Sequence, residues 1–117
     1  MAVLVGKMAK DRTYSRYTRE AAALLARQVR LGRKRRKWTE RELAERAGIS
    51  RATLQKIEKG DLSVAIGLVF EVAALVGVTL FDDERTALAA LIARTDDTLA
   101  LLPSSVRQRS KPVDDEF

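Results

Sequence analysis

Residues 39–60 read TERELAERAGISRATLQKIEKG, and the order of residue types along this stretch decides the fold. Thr39 and Glu42 stand at the spacing of a capping box, in which a hydroxyl accepts from a helix's third backbone N–H while a carboxylate reaches back to the cap. Trp38 and Leu43 bracket the same start at the spacing of a hydrophobic staple. A helix is therefore expected over 40–47. Gly48 follows it and can take the positive φ that a tight helix exit demands. After Ile49, Ser50 is a strong N-cap and Leu54 can staple back onto Ile49. A second helix is predicted to start at Arg51, to reach Glu58 or Lys59, and to stop at Gly60.

The second helix has two unlike sides. Leu54 and Ile57 point one way, while Arg51, Ala52, Gln55, Lys56 and Lys59 occupy the opposite arc. One side packs and the other is left to read. Arg, Gln and Lys make hydrogen bonds to guanine or adenine edges, and Ala52 and Thr53 are small enough to meet a thymine methyl. The plain alternative is a solvated face with ordinary charges. Two short helices joined by a turn of about three or four residues have the proportions of a helix-turn-helix.

Upstream, Ala22, Leu25, Val29 and Gly32 recur at helical spacing, so a helix is expected over 19–36 with Thr18 as its N-cap and Leu25 and Val29 as its inner stripe. Residues 1–17 show no sustained periodicity and read as a flexible basic arm. Downstream, a helix over 63–76 would turn Ile66, Val69, Phe70, Ala73 and Ala74 inward, closed by Gly77. Asp82 or Asp83 can cap a last helix over 84–101, which Pro103 ends. Its stripe of Leu88, Leu91, Ile92, Leu99 and Leu102 is interrupted by Asp96 and Asp97. That stripe suits either a dimer interface or docking onto Phe70 and Val78. The reading is all-α: an arm over 1–17, a DNA-binding domain over 18–81, a C-terminal helix over 82–103 and a disordered tail over 104–117.

Composition narrows the partners. The 117 residues carry 22 Lys and Arg against 16 Asp and Glu, a formal net charge of +6, which favours an anionic partner. Without Cys or His, the chain has no disulfides, no Cys/His zinc site, no thiol nucleophile and no histidine acid/base pair. No cofactor or metal is expected, and no enzyme. The apolar runs are too short for a membrane span, so a cytoplasmic protein is the simplest expectation. Trp38 is the only Trp, and it reads better as a staple at the core edge than as a stacking platform.

Residues 39–60 resemble the phage repressor and Cro class of helix-turn-helix regulators, the XRE family: a polar start, Leu-Ala, Gly at the turn, an apolar residue, Ser, then a reading helix ending in Glu-x-Gly. The resemblance covers about half the chain and implies a five-helix bundle of lambda repressor type. It implies that Arg51, Ala52, Thr53, Gln55 and Lys56 face bases, and that Thr39, Arg41, Ser50 and Lys59 lie by phosphates. Glu40 stands where the family often has Gln; a carboxylate there would repel phosphate, so it is left out of the contacts. Arg33 and Glu58 would form a structural ion pair. The operator would be read by a homodimer on half-sites about one helical turn apart, with Leu88, Leu91, Ile92, Leu99 and Leu102 as the dimerisation surface.

Residues 60–82, GDLSVAIGLVFEVAALVGVTLFD, together with a basic tail ending DDEF, look like the HipB-like antitoxins that accompany HipA-like kinase toxins. That likeness implies an antitoxin that represses its own operon and holds the kinase inactive. Leu62 stands where that group often has Pro. Phe117, after three acidic residues, would suit an anchor folding on a partner, or simply a disordered end. The other reading is a stand-alone dimeric repressor with no toxin partner.

Overall fold

The computed structural model describes residues 12–81 and 88–106. Among them are five helices and no strand: α1 (Arg16–Arg35), α2 (Glu40–Ala47), α3 (Arg51–Glu58), α4 (Ile66–Leu75) and α5 (Leu88–Ala100). The protein is all-α, as its helical periodicities require. The chain divides into two units, Met1–Leu80 and Phe81–Phe117.

In the first unit, α1 to α4 enclose one core of Val29, Leu43, Ala44, Leu54, Ile57, Val72, Ala73 and Val76. Leu25, Trp38, Ala47, Ile49, Val69 and Val78 pack around it, partly buried. Trp38 packs partly buried at the core edge, with the Arg46 guanidinium 4.2 Å and the Arg36 guanidinium 5.8 Å from its ring centre.

Helix α2 forms as its local signals dictate. The Glu42 N–H donates to Thr39 Oγ1 at 3.0 Å and the Thr39 N–H to Glu42 Oε1 at 2.8 Å, closing the capping box. Gly48 takes φ 70°, and the Ile49 N–H donates back to the Ala44 carbonyl at 3.0 Å, the six-to-one bond of a Schellman ending. Ser50 then caps α3 by accepting from the Thr53 N–H at 3.0 Å.

Three expectations shift. Helix α1 starts at Arg16, not Arg19, because Ser15 supplies the cap: its Oγ accepts from the Thr18 N–H at 3.1 Å, placing Thr18 inside the first turn. Helix α4 starts at Ile66 rather than Ser63. The Asp61 carboxylate accepts both the Ser63 N–H at 2.7 Å and its hydroxyl at 2.6 Å, holding that residue in a local turn. The buried side of α4 is also rotated from the expected one. Val72 and Ala73 are buried, with Val76 just beyond the helix, whereas Ile66 is 69% and Phe70 40% exposed and Ala74 is exposed.

The closest packing joins α1 to the end of α4. A Cβ on Gly32 would stand 2.6 Å from the Val76 carbonyl oxygen, so only glycine permits this approach. Arg36 fixes the same junction by donating from Nη1 to that oxygen at 2.6 Å.

In the second unit, α5 buries none of its residues. The Asp82 and Asp83 caps, most of the arm and the tail beyond Val106, Phe117 included, lie outside the described residues.

Candidate nucleic-acid interface

Helix α3 is clamped by its aliphatic side. Leu54 and Ile57 are buried in the core, and Glu58 beside them is 6% exposed. The opposite arc carries Arg51, Ala52 and Lys56, all exposed, with Thr53 and Gln55 half-buried at its flanks. Three cationic or amide side chains thus share one outward surface at the end of a rigidly packed element.

Glu58 is neutralised from α1. Arg33 donates from Nε to Glu58 Oε2 at 2.7 Å and from Nη2 to Oε1 at 3.0 Å, a bidentate pair, and from Nη1 to the Trp38 carbonyl at 3.1 Å. Arg33 itself is only 8% exposed. Hydrogen bonding to Glu58 raises its pKa above the ordinary arginine range, against the pull of desolvation. The structure therefore brings Arg33 and Glu58 together and ties both to the turn that leads into α2.

The remaining sequence-predicted residues divide by what already holds them. Thr39 and Ser50 are exposed, and their hydroxyls cap α2 and α3. Thr53 Oγ1 accepts from the Ser50 hydroxyl at 2.9 Å, which commits it partly to the cap. Arg41 is exposed and pairs along its own helix with Glu45 at 3.6 Å. Lys59 ends α3 at a polar cleft of about 420 Å³ that Arg30, Lys34, Glu40 and Gln55 also line. Arg30, Lys34 and Lys59 are exposed there, so the cations of α1 and of the end of α3 converge beside the outward face of α3. Arg36, exposed at the C-cap of α1, donates from Nη1 to the Val76 carbonyl.

Glu40 was missed by sequence reasoning. Its Oε1 accepts from Gln55 Nε2 at 3.1 Å and lies 3.4 Å from Arg51 Nε. The Gln55 hydrogen bond, helped by Arg51 and opposed by desolvation, holds its carboxyl below the usual glutamate range. No local signal reveals this contact, because it spans eleven residues to Arg51 and fifteen to Gln55.

Leu88, Leu91, Ile92 and Leu99 lie on α5, with Leu102 just beyond it; all are exposed except the half-buried Leu91. Among the described residues, no cluster of acidic side chains could hold a metal ion. No helix among them is long and apolar enough to cross a membrane.

No curated protein and no solved structure matches the chain. Residues 29–82 match the helix-turn-helix family model. That span takes in α2, the turn over 48–50, α3 and α4, together with the last part of α1 from Val29 to Arg35. The geometry and the match agree: the segment 29–82 is a helix-turn-helix domain, which supports the chain's resemblance to the phage repressor and Cro class of DNA-binding regulators.

Proposed function

We propose that the protein is a sequence-specific transcriptional regulator that lays α3 in the major groove of double-stranded DNA. One observation carries the reading: α3 is fixed by Leu54, Ile57 and Glu58, while Arg51, Ala52 and Lys56 stand outward. On this reading Arg51, Ala52, Thr53, Gln55 and Lys56 meet base edges, and Thr39, Arg41, Ser50 and Lys59 lie along phosphates. The convergence of Arg30, Lys34 and Lys59 supports the phosphate assignment, since neutralised phosphates supply much of the affinity of such proteins.

Enrichment of bound fragments from randomised duplex DNA tests the reading. A defined two-half-site motif is expected, and Arg51→Ala should cost about 1–3 kcal/mol and relax preference at one position of each half-site. An unchanged motif for that variant removes the assigned face from consideration.

The finer role is that of a HipB-like antitoxin, a homodimer that represses its own operon and holds a HipA-like kinase toxin inactive. It rests on the sequence likeness of residues 60–82 and the chain's terminus. The alternative is a stand-alone dimeric repressor. Purification of the tagged chain from its own cells separates the two: a kinase that co-purifies in stoichiometric amount supports the antitoxin, and its absence supports the repressor.

A further inference from the structure

Glu40 occupies the first position of α2, where a carboxylate is favoured by the helix's N-terminal dipole. A carboxylate accepts hydrogen bonds and donates none, whereas the Gln55 amide carries two N–H donors on one side and a carbonyl acceptor on the other. Only the NH₂ group of Gln55 can therefore face Glu40, and the contact is made there, Nε2 to Oε1 at 3.1 Å. The amide cannot turn over without setting its carbonyl against the carboxylate. Arg51 is drawn to the same oxygen through Nε, which leaves its two Nη groups unused by this contact.

We infer that Glu40 is a specificity-determining positioning residue: it fixes the polarity of the Gln55 amide so that the carbonyl and one N–H face outward, the pair that matches adenine. Adenine presents a donor at N6 and an acceptor at N7 in the major groove, whereas guanine presents two acceptors there. A glutamine at position 40 would remove this constraint, because an amide can either accept from or donate to Gln55. The inference rests on the DNA-reading role proposed above. It gives the carboxylate a task other than phosphate contact, and with Arg51 close by its charge is partly balanced.

Selection from randomised duplexes by the full chain, Glu40→Gln, Glu40→Ala and Gln55→Ala tests it, with thermal unfolding confirming that each variant folds. The unaltered chain should enrich an A·T pair at one position of each half-site. Gln55→Ala should erase that preference, by roughly tenfold. Both Glu40 variants should lose it at the same position and keep their preferences elsewhere. A Glu40→Gln profile identical to that of the unaltered chain, with affinity raised equally for all sequences, would show that Glu40 acts only through its charge, and the inference falls. A preference for any other base at the Gln55 position overturns it as well. If the unaltered chain enriches no sequence, the DNA-reading role itself fails; that outcome is distinct from a motif that ignores Glu40.

Discussion

Arg33 and Glu58 hold opposite charges almost out of water, and each depends on the other to remain there. Removing one partner leaves an uncompensated buried charge, whereas replacing both with apolar side chains removes the desolvation penalty together with the attraction. Arg33→Met should therefore cost about 3–5 kcal/mol in urea unfolding. The double variant Arg33→Met, Glu58→Leu should cost less, on the order of 1 kcal/mol for the hydrogen bond lost at the Trp38 carbonyl. An equal cost for both would mean that the pair itself, rather than its balance, stabilises the domain. Because the Arg33 pKa is raised, its contribution is complete below the ordinary arginine range and is lost only in strong alkali. Glu40 has the opposite sign. Its pKa is depressed, so the stabilisation it gives is complete above the ordinary glutamate range and fades as pH falls through the lowered value. Carboxyl ¹³C NMR should place the Glu40 midpoint below that of an ordinary glutamate, and Gln55→Ala should move it upward. An ordinary midpoint in the unaltered chain would show that the Gln55 contact does not persist in solution.

The helices differ in how much of themselves their own residues determine. For α2 and α3 the decisive partners lie within a turn of one another: Thr39 with Glu42, Gly48 with Ala44 and Ser50 with Thr53. A reading of local sequence finds these, and it finds which side of α3 packs. It does not find the rotation of α4, because that segment is apolar on almost every side, with Glu71 its one charged residue, and so gives no periodicity from which to choose a face. Contact with the rest of the core chooses it instead. The Glu40 bridge was illegible for a related reason, since it joins the start of α2 to Arg51 and Gln55 of α3, which come beside it only after folding. Two glycines in helices make the distinction testable. At Gly32 an added Cβ meets the Val76 carbonyl, so Gly32→Ala should destabilise the domain by about 1–3 kcal/mol through overpacking. At Gly67 in α4 nothing stands within 4 Å, so Gly67→Ala should gain about 0.5–1 kcal/mol of stability from helix propensity and a less free unfolded chain. Chemical denaturation of the two variants should move in opposite directions, and a loss at both would remove the claim that the α1–α4 approach is what requires glycine.

A helix-turn-helix domain of this size has little lateral reach on a duplex, and proteins of this architecture gain affinity by presenting two copies to a symmetric site. On the proposed reading, α5 supplies the surface for that. Leu88, Leu91, Ile92 and Leu99 recur along one side of α5, and the helix buries none of its residues; exposed apolar clusters of this kind mark interaction surfaces. If two copies join through this stripe, the second half-site is bound at high effective concentration, and the gain depends on the joint rather than on α3. The double variant Ile92→Glu, Leu99→Glu should then sediment as a monomer where the unaltered chain sediments as a dimer. Its affinity for a single half-site should be unchanged, while its affinity for the full site should fall by about a hundredfold or more. Unchanged thermal unfolding of the helix-turn-helix domain, whose core holds Val29, Leu43, Leu54 and Val72, would separate this effect from misfolding. A variant that stays dimeric, or an unaltered chain that sediments as a monomer yet binds the full site tightly, would assign the stripe on α5 a different partner.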